Sequence, residues 1–228
     1  MSRAVLFDTE TTGLDPLTGH RVLEVAALEL IRDLPSGRHF HTLIHPDRDI
    51  PDEVVRIHGI TIDRVADKPR FREIADELLA FFGDDPLIAH NAPFDFGFLD
   101  AELARIQRPA LARSRMIDTL AMAKTRFPGL PNSLDALCRR FGIDLSERTS
   151  HNALLDCRLL SDVYVELTGG RQRVLWSGET TAASAPTMIL LPDMAPSQSR
   201  LPRPIAPTEA ELVAHTAFIA RLKQPLWV

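Results

Sequence analysis

Ala4-Val5-Leu6-Phe7-Asp8-Thr9-Glu10-Thr11-Thr12-Gly13 is the stretch whose reading decides the fold. Its first four residues form a short apolar run of the kind that makes a buried strand, and Gly13 marks a turn beyond it. Asp8 and Glu10 therefore stand at the end of a strand predicted to be central. Side chains alternate along a strand, so the two carboxylates share a face, with Cβ atoms roughly 6 to 7 Å apart at about 3.3 Å rise per residue. Like charges that close repel unless a cation lies between them. The pair reads as half of a divalent-metal site, its oxygen donors suiting magnesium or manganese. Taken alone, Asp-x-Glu is more often a solvated strand end, and the decision falls to the rest of the chain.

The 228 residues accommodate one domain of ordinary size plus an appendage, and a hydrophobic share of 45% is enough for a core. A net charge of -5 means that the chain as a whole is no polycation. A nucleic-acid partner would have to be held by local patches or by metals. The two cysteines, Cys138 and Cys157, form no Cys-x-x-Cys pair, which argues against a zinc site or a disulfide framework. Both fit apolar helix faces, where core packing is the better reading. No basic-plus-apolar leader precedes the first strand, and no apolar run approaches the roughly 20 residues of a membrane span. The expectation is a soluble, reduced, cytoplasmic chain with no membrane partner.

Working outward, Arg21 to Ile31 reads as a second, apolar-rich strand and Arg38 to His45 as a third, separated by a turn at Pro35-Ser36-Gly37. Pro51 to Ile60 suggests a short helix. Phe71 to Phe82 carries Ile74, Leu78, Leu79 and Phe82 at helical spacing. Pro86 to His90 reads as a further buried strand, and Phe94 to Ile106, Asp118 to Phe127, Ser133 to Phe141 and Asn152 to Leu167 as helices, the last stopped by Gly169-Gly170. A meander followed by alternating helices and strand predicts an α/β class, with a mixed central sheet flanked by helices. Residues 171 to 207, broken by six prolines from Pro186 to Pro207, read as a linker between a domain at 1–170 and a C-terminal helical segment at 208–228. In that segment Thr208 to Lys223 recovers a helical pattern, with Thr208 as N-cap.

Three further features carry chemistry. In His90-Asn91-Ala92-Pro93-Phe94-Asp95 a buried strand breaks and Asp95 opens a helix; that position is commonly only a dipole partner, yet strand ends in α/β sheets are also where sites gather. In Ser150-His151-Asn152-Ala153-Leu154-Leu155-Asp156, five residues of helix turn through about 140° past a full turn, so His151 and Asp156 share no helix face. His151 is therefore expected just ahead of the helix, placed to act as a general base near a metal held by Asp156. A carboxylate at Asp156, against Leu155, Leu159, Leu160 and Val163, is costly unless something pairs with it. Glu53 and His58, in the segment from Pro51 to Ile60, are by themselves more often surface residues, and His39, His41 and His45 lack a neighbouring carboxylate cluster. Asp8, Glu10, Asp95 and Asp156 with His151 make a set large enough for two divalent ions hydrolysing a phosphodiester.

The order Asp-x-Glu, Asp, His-x4-Asp resembles the DEDDh 3′ to 5′ exonucleases. The strings Phe7 to Gly13, His90 to Asp95, Asn132-Ser133-Leu134-Asp135-Ala136-Leu137-Cys138 and Ala153-Leu154-Leu155-Asp156 resemble most closely the proofreading exonuclease subunits of bacterial replicative DNA polymerases, over about residues 1 to 170. The resemblance implies a ribonuclease H-like fold. It makes Asp8, Glu10, Asp95 and Asp156 ligands of two divalent cations, Mg²⁺ or Mn²⁺, with Asp8 bridging and His151 as the general base. It makes Thr11, Glu53 and His58, together with Asp8, Glu10 and Asp156, contacts of the terminal nucleotide. The activity it implies is removal of misincorporated 3′-terminal nucleotides as 5′-mononucleotides, with a single-stranded or frayed DNA 3′ end as substrate. It implies the replicative polymerase catalytic subunit as a partner through the C-terminal segment. Gln172, Leu175 and Trp176 resemble a peptide that docks on the bacterial sliding clamp. A ribonuclease with the same residues, or a scaffold for a polymerase, are the competing readings.

Overall fold

The structure is a computed structural model that describes residues 2–146, 148, 151–169 and 207–221. It holds a five-stranded mixed sheet in the order β3-β2-β1-β4-β5. β1 (Arg3–Thr11), β2 (Val22–Ile31) and β3 (Leu34–Leu43) form the antiparallel meander, while β4 (Leu87–Ala89) and β5 (Met116–Asp118) run parallel to β1. Both faces of β1 are covered. Val5 and Phe7 point into one core with α3 (Phe71–Phe82) and α4 (Ala92–Arg105); Leu6 points into the other with α7 (Ala153–Leu167). Between these lie the short helices α1 (Asp52–His58), α2 (Ile62–Val65), α5 (Thr119–Arg126) and α6 (Leu134–Phe141).

Alternation along β1 assigns the site. Asp8 and Glu10 share the parity of Leu6 and project to the α7 side, whereas Thr9 shares that of Phe7 and projects toward α4. Phe7 is packed between Phe82, with ring centroids 5.3 Å apart, and Phe96, at 5.7 Å, in tilted geometries. This fixes the strand at the residue just before its acidic end. Just past β1, a Cβ on Gly13 would lie 2.3 Å from the His20 ring, so the turn needs glycine for close approach.

The turn between β2 and β3 is not at Pro35-Ser36-Gly37. Ile31 pairs directly with Leu34, and the connection is Arg32-Asp33, with φ of 55° and 66°. A two-residue hairpin needs positive φ at both central positions, and Arg-Asp carries none of the usual glycine or asparagine signal. Ser36 and Gly37 instead lie inside β3, where the register slips between Leu28 and Leu30. β5 and α2 carry no sequence pattern strong enough to announce them, being only three and four residues long.

Cys138 and Cys157 are free and buried. Among the described residues no helix is long and apolar enough to cross a membrane. The chain divides into two compact units, Met1–Glu179 and Thr180–Val228. In the second, α8 (Glu209–Ile219) is capped by Thr208, whose Oγ1 accepts from Glu211 N at 3.3 Å while the Glu211 carboxylate accepts from Thr208 N at 2.8 Å. Residues 170–206, which include most of the expected linker and all of Gln172, Leu175 and Trp176, lie outside the described residues.

Phe96→Ala should cost about 3–5 kcal/mol of unfolding free energy, because it empties a fully buried ring site beside Phe7. Denaturant unfolding of the purified chain measures this, and a loss below about 1 kcal/mol would mean that the Phe7 contacts do not hold β1 in place.

Candidate active site

Asp8, Glu10, Thr11, His58, His151 and Asp156 line one cleft of about 440 Å³, at the end of β1. Three elements bring the acids together. β1 supplies Asp8 and Glu10. α4 supplies Asp95 from its first turn, after the chain leaves β4 through Asn91 at φ 66°. Asp118, at the end of β5, accepts from the Asn91, Ala92 and Leu120 amides at 3.0, 3.3 and 3.0 Å, holding the starts of α4 and α5 together. The Asp95 carboxylate then accepts from Thr9 N at 3.1 Å and Thr9 Oγ1 at 2.7 Å. Asp95 is thereby tied to the residue between the two acids of β1.

α7 supplies Asp156, also in its first turn, and a residue missed by sequence reasoning positions it. Glu24, 2% exposed, lies opposite Glu10 across the β1/β2 ladder. Its carboxylate accepts from Ala153 N at 3.3 Å and Asn152 Nδ2 at 3.2 Å, while His41 Nε2 lies 2.6 Å away. A carboxylate at a helix N-terminus is favoured by the helix dipole and the free amides there. Asn152 caps the helix as well, its Oδ1 accepting from Leu155 N at 3.0 Å. The start of α7 is thus fastened to β2, next to Glu10. One signal existed: Glu24 is a charge inside the apolar run of β2. His41, set aside in the sequence for want of a nearby carboxylate, finds one across the sheet.

His151 precedes Asn152, outside the helix, and its amide donates to Ile57 O at 3.2 Å. Its Nδ1 lies 3.6 Å from Asp156 Oδ2. Donor atoms of Glu10, His151 and Asp156 all fall within 4.8 Å of one another. Arg148, also unanticipated, donates from Nε and Nη2 to the two oxygens of Asp156 at 2.6 and 2.9 Å, and from Nη1 to Asp135 at 2.5 Å. This is the partner that the buried carboxylate of Asp156 demands. His58 is buried; its Nδ1 accepts from Ile60 N at 3.0 Å, which leaves the proton on Nε2. That Nε2 has no hydrogen-bond partner among the described residues, and burial lowers the pKa of the ring. Thr11 Oγ1 donates to Gly13 O at 2.6 Å. Glu53 sits exposed on the first turn of α1 and does not line the cleft, whereas its neighbours Val54 and Ile57 do.

The electrostatics are those of anions with too little positive charge among them. Burial, followed by repulsion from Asp95 and Glu10, holds the Asp8 carboxyl well above the usual range. Glu10 is pushed up to about 8, by burial first and then by Asp156 and Glu24, with Arg148 opposing. Asp95 is pushed up to about 7 by burial, against the hydrogen bonds from Thr9. Such a set fits hard divalent cations: carboxylate oxygens dominate, one imidazole stands beside them, and the missing positive charge is what an ion brings.

The Exonuclease family profile matches residues 5–164. The chain is 45% identical over 224 residues to the DNA polymerase III subunit epsilon of Rickettsia felis, covering 96% of both chains. Against the protein of the same name from Escherichia coli it is 36% identical over 224 residues, covering 95% of this chain and 92% of that one. Among solved structures, Exonuclease X in complex with 5′ overhanging duplex DNA superposes with a TM-score of 0.57 at 27% identity, over 74% of this chain and 91% of that one. The nuclease domain of 3′hExo, a DEDDh family member bound to rAMP, shares the fold at a TM-score of 0.62 and 17% identity, over 73% and 92% of the two chains.

The raised pKa values give a signed expectation. Without metal, folded Glu10, near 8, and Asp95, near 7, keep protons at pH values where unfolded carboxylates, near 4, have lost theirs. The folded chain then binds more protons than the unfolded one, so this contribution to stability falls as pH rises from about 4 toward 8. A bound divalent ion needs the same groups ionised, so protons compete with it less as pH rises. The rise in Tm caused by Mg²⁺ or Mn²⁺, relative to chelator, should therefore grow between about pH 6 and 8. Thermal scans in paired buffers measure it, and a rise that is flat or shrinks over that range would contradict the assignment.

Proposed function

Because this chain belongs to the Exonuclease family, among the DNA polymerase III epsilon subunits, we propose that it removes mispaired 3′-terminal deoxynucleotides as 5′-mononucleotides by two-metal hydrolysis, in the cytoplasm of a bacterium. The observation that carries this reading is the convergence of Asp8, Glu10, Asp95 and Asp156 at one strand end, with His151 beside them. These four carboxylates would hold two divalent cations, Mg²⁺ or Mn²⁺, which when bound neutralise charge on the phosphodiester and acidify a water.

The chain's own residues do the rest. His151, half-exposed and outside the helix, takes the proton of the attacking water. Thr9 and Glu24 hold Asp95 and the start of α7 in place, so that the ligands need little rearrangement. His58, neutral, offers its Nε2 proton as a donor to the terminal nucleotide, with Thr11 on the same cleft wall; Glu53, exposed on the first turn of α1 and outside the cleft lining, is assigned to that nucleotide by the family resemblance alone. Leu14, Val54 and Ile57 give the cleft an apolar wall, and Leu14 and Ile57 are 82% and 50% exposed, so an unpaired base has surface to pack on. A paired terminus would have to separate before its last phosphodiester reached the acids.

Residues 1–170 are assigned as the exonuclease, 171–207 as a tether, and 208–228 as the segment that docks on the polymerase catalytic subunit. Gln172, Leu175 and Trp176 are assigned to a sliding clamp. The capped helix α8 and the word subunit in the relatives' name support this division.

With Mg²⁺, the purified chain should trim a 3′-mispaired DNA primer faster than a paired one. Asp8→Ala and Asp156→Ala should abolish trimming, while His151→Ala should slow it by roughly 10² to 10⁴. Equal rates on mispaired and paired ends would contradict proofreading, and preference for RNA of equal length would move the chain to a ribonuclease. Deleting residues 171–228 should leave cutting intact and remove co-purification with the polymerase; loss of cutting would contradict the division.

A further inference from the structure

We propose that Arg148 is an internal counter-cation that latches the acidic site in its metal-free form and is displaced from Asp156 when divalent ions load. The inference rests on the reading of Glu10, Asp156 and His151 as a metal-binding group. Arg148 is only 10% exposed, and its guanidinium spends every nitrogen on this site. Nε and Nη2 take the two oxygens of Asp156, Nη1 takes Asp135, and Nη2 lies 3.2 Å from His151 Nδ1. A two-pronged guanidinium-carboxylate pair is the strongest form of charged hydrogen bond, and lysine could not reproduce it.

The atoms so occupied are those an ion would need. Both Asp156 oxygens and the Nδ1 lone pair of His151 are engaged, in a group whose donor atoms span no more than 4.8 Å. A guanidinium and a divalent cation on the same carboxylate repel, so the two compete for it. Arg148 alone does not neutralise the cluster: Glu10 remains unsettled by its acidic neighbours with the guanidinium in place. One positive charge against several carboxylates keeps the ligands assembled while leaving a strong preference for a divalent ion.

The geometry also provides somewhere for the side chain to go. Asp135, on the first turn of α6, is 37% exposed, lines the same cleft, and already accepts from Nη1. Released from Asp156, the guanidinium stays tethered there, at the cleft rim, with Nε and Nη2 free for an incoming phosphate. His151 Nδ1 is freed in the same movement, so the base becomes available only once metal is bound. Arg148 lies after the end of α6 at Phe141 and before the start of α7 at Ala153, so its side chain belongs to neither helix.

The test is Mn²⁺ binding to the full-length chain without nucleic acid, read as free Mn²⁺ by electron paramagnetic resonance, for wild type, Arg148→Gln and Arg148→Lys. A latch closed about nine-tenths of the time makes Arg148→Gln bind roughly tenfold tighter than wild type, with Arg148→Lys between them. Unchanged or weaker binding by Arg148→Gln overturns the latch, since an arginine that merely orients Asp156 for the metal would weaken binding when removed. Absence of binding by all three chains would sink the metal-site reading itself, a distinguishable result. Should Arg148→Gln not fold, the wild-type Arg148 Nε–H resonance, assigned by its loss in Arg148→Lys, decides. Its hydrogen-bonded shift should disappear on saturation with Mg²⁺, and its persistence would overturn the proposal.

Discussion

Everything in this protein's cleft depends on one constraint: several carboxylates are held close together and away from water. Asp8, Glu10, Asp95 and Asp156 repel one another, and Glu24 adds a fifth charge from the neighbouring strand. Proteins rarely assemble such a cluster without a means of discharging it. Protons serve in part, as the raised pKa values of Glu10 and Asp95 indicate, and Arg148 serves in part. Divalent ions would complete the balance. The acidic overall charge of the chain is compatible with this reading, because the positive charge that meets a nucleic-acid backbone at the site of cutting would come with the ions.

The surrounding fold can be understood as the scaffold that tolerates this repulsion. Phe7 wedged between Phe82 and Phe96 keeps β1 from drifting. Thr9 uses both amide and hydroxyl to hold Asp95 against the strand, and Glu24 fastens the first turn of α7 through Ala153 and Asn152. Helices α4 and α7 both present their acids from first turns, where unpaired amides and the dipole ease the cost of negative charge. The fold thus uses strand parity to place two acids and helix starts to place two more. Arrival at a strand end of a mixed sheet is the usual location of sites in this class.

Much of this was legible in the chain. The apolar run before Asp8, the period of α3 and the Asn152 to Leu167 helix all survive because each has a strong pattern and an exposed alternative would be costly. The acids were recognisable because carboxylates at Asp95 and Asp156 interrupt otherwise apolar or helix-starting segments. What escaped notice depended on contacts between distant residues. Glu24 looks like one polar residue in a strand until β2 is placed beside Glu10 and beneath α7. Arg148 stands in a polar segment whose composition suits any surface loop, and its value lies in Asp156, eight residues on, and Asp135, thirteen back. The Arg32-Asp33 turn was hidden for a different reason: nothing in those residue types favours positive φ, and pairing of the two strands imposes it.

The measurement that tests the central claim most directly is the number of protons released when the full chain binds Mn²⁺ at pH 7, obtained calorimetrically in buffers of different ionisation enthalpy. With Glu10 near 8 and Asp95 near 7, filling the site should expel more than about one proton per chain. Binding with no proton release would mean that the acids at the end of β1 are already ionised and hydrated, and that their crowding is not what draws the metal.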